Sequence, residues 1–228
     1  MNTIPKTPSI LASLRTLIPS RDCDFDEALA VAERQATKLA DLLRARDGSF
    51  DGIQLHHIAE LPRIQVVYDS LPVSGMSYWN GQTWILAIAA SDTPARQRFT
   101  LLHEFKHILD HGATARLYQG TAKRSAQTQA EQVADYFAGC ALVPKTALKR
   151  AWGNGMQRLD ALADFFGVSE PAMQVRLDQT GLSRETDPEP TPRRERCARP
   201  VTTPSYQAQR FRVARPCYGQ QRTRRSYA

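Results

Sequence analysis

Residues 100–111 read Thr100-Leu101-Leu102-His103-Glu104-Phe105-Lys106-His107-Ile108-Leu109-Asp110-His111. Leu101, Leu102, Phe105, Ile108 and Leu109 recur at helical spacing, and Gly112 follows as a stop, so the stretch predicts one buried helix. On it, His103 and His107 stand at i and i+4, one turn apart on a single face, with both imidazoles able to reach one divalent ion. Glu104 completes an H-E-x-x-H motif, placed where its carboxylate can accept a proton from water without ligating the metal itself. The spacing is that of half of a zinc peptidase site. Two histidines four apart also occur by chance, but a buried helix that presents His-Glu-His is harder to explain as packing alone.

Such a site needs a third protein ligand and an open position. From Gln129 to Val143 the sequence returns to helical spacing, with Val133, Phe137, Ala141 and Leu142 apolar and Pro144 as a stop. Glu131 lies on this second helix, 24 residues after His107. Alone it would read as an exposed helical acid; beside the motif it reads as the missing ligand. Asp135, one turn further on, can hold a ligating histidine through its other ring nitrogen. His111 extends the i, i+4 series, but eight residues of helix rise about 12 Å, too far for it to share an ion with His103. It is assigned to a place behind the ligands or to packing. His56 and His57 are adjacent and point about 100° apart on a helix, so they read as ordinary surface or half-buried histidines.

Upstream of the motif come three strand candidates, Ile64 to Tyr68, Gly75 to Trp79 and Gln82 to Ile88, with Asn80-Gly81 as a hairpin signal between the last two. A small, mostly antiparallel sheet packed on a metal-binding helix pair makes the fold class α+β. Asp92 or Thr93 can cap the motif helix, with Pro94 in its first turn. The polar stretch 114–129 reads as a loop.

The run from Arg98 to His107, followed by Glu131-Gln132-Val133-Ala134-Asp135-Tyr136-Phe137-Ala138 and Leu142-Val143-Pro144, resembles the ImmA/IrrE family of zinc metallo-endopeptidases. The resemblance spans roughly residues 64–144 and weakens toward Leu182. It implies a zincin-like fold and one zinc ion per chain, held by His103, His107 and Glu131, with Glu104 as the catalytic base. It also implies a protein substrate: members of that family typically cleave or inactivate a helix-turn-helix repressor, often one encoded nearby, in mobile-element, stress-response or toxin–antitoxin circuits. Two positions depart from the family's habit. Lys106 stands where glycine is common, so its cation must point away from the site or bias substrate charge, and Ala89-Ala90-Ser91 stands where asparagine is common. Tyr118 and Tyr136 are both candidates for stabilising an oxyanion.

Outward from this centre, Asp22 or Asp24 can cap a long helix reaching about Arg46, and residues 1–47 read as an N-terminal helical extension of a domain at 48–184. Residues 159–177 read helix, glycine stop, serine cap, helix, the pattern of a helix-turn-helix. That pattern founds the rival reading, a non-enzymatic DNA- or protein-binding regulator whose metal site is structural or vestigial. Its second helix offers only Gln174 and Arg176 as base readers, however, and starts acidic.

The net charge of +7 belongs to one end of the chain. Residues 185–228 hold ten arginines and no lysine against four acidic residues, which leaves a net +1 for residues 1–184. Six of the fourteen prolines fall in the same segment, so it reads as a disordered Arg/Pro-rich tail able to make weak nucleic-acid contacts through arginine and interleaved aromatics. Cys23, Cys140, Cys197 and Cys217 are scattered and form no C-x-x-C pair. With no secretory leader or membrane-length apolar run in the sequence, the expectation is a cytoplasmic protein in a reducing compartment, without membrane contact.

Overall fold

The computed structural model describes residues 9–47 and 52–182. The segment read as a tail, 185–228, lies outside the described residues.

Three strands, β1 (Ile64–Asp69), β2 (Gly75–Trp79) and β3 (Trp84–Ala89), form one sheet in the order β1-β3-β2. The hairpin at Asn80-Gly81 is present: β2 and β3 pair antiparallel, and the Asn80 side chain accepts the backbone N–H groups of Gln82 and Thr83. The expectation of a mostly antiparallel sheet is corrected on the other side, where β1 pairs with β3 in parallel from Ile64↔Trp84 to Asp69↔Ala89. The reason is burial. β3 is the most apolar strand, buried at five successive positions, so it takes the centre and both neighbours must pair with it. Residues 70–74 cross the end of β3 to reach its far side, and Ser74 gives its carbonyl to Ala89 N–H on the way.

The motif helix, α4 (Pro94–Asp110), is capped by Thr93 and lies across β2 and β3. Its opposite side packs on α6 (Ala126–Leu142), which in turn packs on α2 (Phe25–Asp47). The layers therefore run sheet, α4, α6, α2, and one apolar core joins them, from Leu86 and Ile88 through Leu102 and Phe105 to Phe137, Ala32 and Leu39. α2 begins at a reciprocal cap: Asp24 accepts the N–H of Glu27, and the Glu27 carboxylate accepts the N–H of Asp24. Ahead of it, α1 (Ile10–Arg15) sends the Arg15 guanidinium to the carbonyls of Ile108 and Leu109, closing the last turn of α4. Here the N-terminal segment touches the motif helix directly.

After α4, the stretch read as a loop is partly helical. α5 (Thr114–Leu117) follows Gly112, and α6 starts at Ala126 rather than Gln129, because Ser125 accepts the N–H of Thr128 as its cap. α7 (Lys145–Gly153) was not foreseen. The closing pair, α8 (Leu159–Phe166) and α9 (Glu170–Thr180), matches the expected helices, with Gly167 left-handed at φ +62 between them. Arg98 of α4 binds this turn, donating to the carbonyls of Phe166, Gly167 and Ile53, the last just ahead of α3 (Leu55–Ala59).

Close approach of β2 to α4 depends on a missing side chain. A Cβ on Gly75 would come within 2.4 Å of Thr100 Cγ2 and 3.1 Å of the Ala87 carbonyl. Gly75→Val should therefore push the strand off the helix and destabilise the protein by about 1–3 kcal/mol, as overpacking does. A thermal melt unchanged from wild type would contradict this packing.

Candidate metal centre

The face of α4 turned to α6 brings two imidazoles to the second turn of that helix. His103, His107 and Glu131 each place one donor atom so that all three lie within 4.8 Å of one another. His103 Nε2 is 3.1 Å from His107 Nε2 and 3.2 Å from Glu131 Oε2, and His107 Nε2 is 3.7 Å from Glu131 Oε1. Gln127, one turn before Glu131, donates its side-chain N–H to Glu131 Oε1 at 2.7 Å. The second oxygen, Oε2, is buried and accepts no aligned hydrogen bond. Asp135 Oδ1 lies 2.8 Å from His103 Nδ1. A carboxylate only accepts, so Nδ1 carries a hydrogen toward Asp135, and Nε2, which faces His107 and Glu131, is the nitrogen left to ligate once it is deprotonated.

Two imidazoles and one carboxylate that converge, with a buried carboxylate oxygen lacking a hydrogen bond, fit a divalent transition ion. The electrostatics agree. Burial works against a charged His103, but its hydrogen bond to Asp135 and its close contact with Glu131, with the Glu104 charge nearby, outweigh it and raise its pKa to about 9. Burial likewise opposes ionisation of Glu131, and its contacts with His103 and His107 overcome this, holding it at about 2. The two shifts are reciprocal: the carboxylates favour a cation among them, and the imidazoles favour the Glu131 anion.

Glu104 is 6% exposed and points the other way around the helix, toward the sheet, where the Ser77 hydroxyl on β2 donates to its Oε2 at 2.8 Å. Sequence reading did not single out Ser77. Its only signal is an alternation that puts Gly75, Ser77 and Trp79 on one strand face, which becomes informative once β2 is known to lie against α4. Gln127 was missed as well, although its i, i+4 spacing to Glu131 was legible.

Other expected residues sit elsewhere. His111, at the end of α4, is outside the donor cluster and meets the Trp84 ring edge-on at 4.8 Å. Lys106 points into the core: it is fully buried, and its Nζ donates to Asp110 Oδ1 at 2.5 Å. Its cation therefore points away from the donor cluster. The Tyr118 hydroxyl donates to the other oxygen of Asp110, and burial raises its pKa far above the usual phenol value. Tyr136 donates to Glu33 on α2, on the side of α6 away from α4. Both phenols are thus committed to structural bonds. His57 is buried beside Asp47 and accepts the Gln54 N–H, while His56 is exposed. Among the described residues, Arg176 is 2% exposed and donates to the Val143 carbonyl, so it ties α9 to the end of α6 instead of facing solvent as a base reader.

An H-E-x-x-H helix joined to a carboxylate helix is the arrangement of a metallopeptidase. The chain belongs to the peptidase M78 family: the model of its IrrE N-terminal-like domain matches residues 60–178, more than half of the chain. Among curated proteins no match was found. Among solved structures, a transcriptional regulator of Mycobacterium tuberculosis is similar at 22% identity and a TM-score of 0.45, over 75% of this chain and 52% of that one. The chain thus spans about half the length of that protein.

Metal loading should follow the donor set. His103→Ala, His107→Ala and Glu131→Ala should each abolish stoichiometric zinc in the purified protein, and Asp135→Asn should weaken affinity about 10–100-fold; full occupancy in Glu131→Ala would remove Glu131 from the set. The sign with pH follows from His103, which must give up its proton to ligate. Loading should weaken as pH falls below about 9 and release protons to the buffer, measurable by calorimetry in buffers of different ionisation enthalpy.

Proposed function

We propose that the protein is a zinc-dependent endopeptidase that cleaves or inactivates a helix-turn-helix transcriptional repressor or antitoxin. The observation that carries the catalytic reading is that one helix sends His103 and His107 to Glu131 on one side while Glu104 stands beside them, bonded to Ser77. Family membership supports peptide hydrolysis; the resemblance to ImmA/IrrE proteins supports a repressor as substrate.

His103, His107 and Glu131 would hold the zinc, which would polarise the scissile carbonyl and acidify water. Glu104 takes the proton of the attacking water and returns it to the leaving nitrogen, as a general base and then acid. Ser77 donates to Oε2, which leaves Oε1 as the basic atom and limits rotation of the carboxylate. Asp135 holds His103 in one tautomer, and Gln127 fixes the Glu131 carboxylate. The chemistry takes place in the cytoplasm, in keeping with thiols that are free at Cys23 and Cys140. The basic segment 185–228 makes weak contacts with nucleic acid, independent of hydrolysis. Burial of Arg176 weighs against a base-reading role for α9 and so against the non-enzymatic DNA-binding alternative.

Glu104→Gln separates the metal from the chemistry. Zinc content should stay at wild-type level while cleavage of a neighbouring repressor falls by about 10²-fold or more. Wild-type cleavage should vanish with a chelator and return with zinc; equal rates in Glu104→Gln and wild type would refute the base assignment.

A further inference from the structure

We propose that Trp79, Trp84 and His111 form an aromatic shelf beside the metal centre that receives a large apolar, preferentially aromatic, side chain of a peptide substrate. The inference rests on the peptidase reading above and adds what that site selects.

Trp79 and Trp84 are directly opposed in the β2–β3 register, with ring centroids 5.5 Å apart and planes tilted by 57°. Trp84 meets His111 at 4.8 Å and 70°. The three rings thus form a continuous row from the edge strand to the end of α4. Each end of this row is tied to the reactive groups. At the end of α4, the capping residue His111 comes four residues after His107, about 6 Å along the axis. On the strand, Trp79 is two residues from Ser77 on the same face, about 7 Å away, and Ser77 holds Glu104. An extended peptide advances about 3.3 Å per residue, so the shelf lies within reach of a side chain one to three positions from the bond being cut.

Exposure and charge define the occupant. Trp79 is 44% exposed and Trp84 is only half buried, although both are large enough to anchor a core. The turn that adjoins them, Asn80-Gly81-Gln82-Thr83, carries no charge, and no lysine, arginine or carboxylate belongs to the row. Recognition there works by ring stacking and removal of apolar surface from water. A nucleic acid would need cations for its phosphates, which this row does not provide.

The test uses zinc-loaded Glu104→Gln protein and fluorescein-labelled, end-blocked uncharged peptides that differ at one central residue, read by anisotropy. The Phe peptide should bind at least about tenfold more tightly than the Ala peptide, the gain expected for burying one aromatic ring. Trp79→Ala should erase that preference while zinc content and melting temperature stay unchanged, Trp79→Phe should keep it, and His111→Ala, exposed and safe for folding, should reduce it. Equal affinity for the Phe and Ala peptides, or a preference that survives Trp79→Ala, would overturn the shelf. Hydrolysis by the wild type is scored separately. Peptide discrimination without hydrolysis supports the shelf and sinks the peptidase reading; hydrolysis without aromatic preference does the reverse.

Discussion

Burial of α4 on both sides is the constraint from which the other features follow. The helix lies between a sheet and α6, and it buries Leu101, Leu102, Phe105, Ile108 and Leu109 at 1% exposure or less. It also buries His103, Glu104, Lys106 and Asp110. Burying an ionisable group without a partner costs several kcal/mol, about as much as the net stability of a small domain. Each of these side chains must therefore be met by a polar group, and the origins of the partners that come from outside α4 explain how the fold is assembled. Asp135 and Glu131 come from α6, Ser77 from β2, and Tyr118 from the end of α5. Arg15, from α1, satisfies the carbonyls that the helix leaves at its end.

This division separates a reactive side from an inert one. Toward α6, two imidazole nitrogens and a carboxylate oxygen converge; toward β2, Ser77 holds the carboxylate of Glu104. Toward α5, the partners neutralise: Lys106, Asp110 and Tyr118 form a closed set in which each charge is consumed. Removing one member of such a set typically costs about 3–5 kcal/mol, because it leaves the others charged and buried. The set holds the C-terminal half of α4 in rotation, and with it the direction in which His103 and His107 point. Lys106 thus has a local account: its side chain is stored in the core, bonded one turn along its own helix.

The closing helices follow the same rule. Their pattern suggests a reader of DNA, yet Arg176 is turned inward onto the Val143 carbonyl and Arg98 clamps the glycine turn between them. The arginine of α9 seals the end of α6, and an arginine of α4 seals the end of α8, so both are used in packing.

Much was legible in the sequence for reasons of period and spacing. The i, i+4 histidines define a face wherever an α-helix forms, Asn80-Gly81 specifies a turn by its backbone preference, and Thr93 and Asp24 cap helices by bonds only three residues long. These interactions are local, so residue order alone determines them. Long-range pairing had to be decided by the tertiary structure. Nothing in residues 64–69 states that they lie parallel to 84–89, since that follows from competition for the centre of the sheet, which the most apolar strand wins. Ser77 and Glu104 are 27 residues apart, and Asp135 and His103 are 32 apart. Such pairs meet because α4 is buried on two sides at once, a property of the packed layers that no single stretch of the chain encodes.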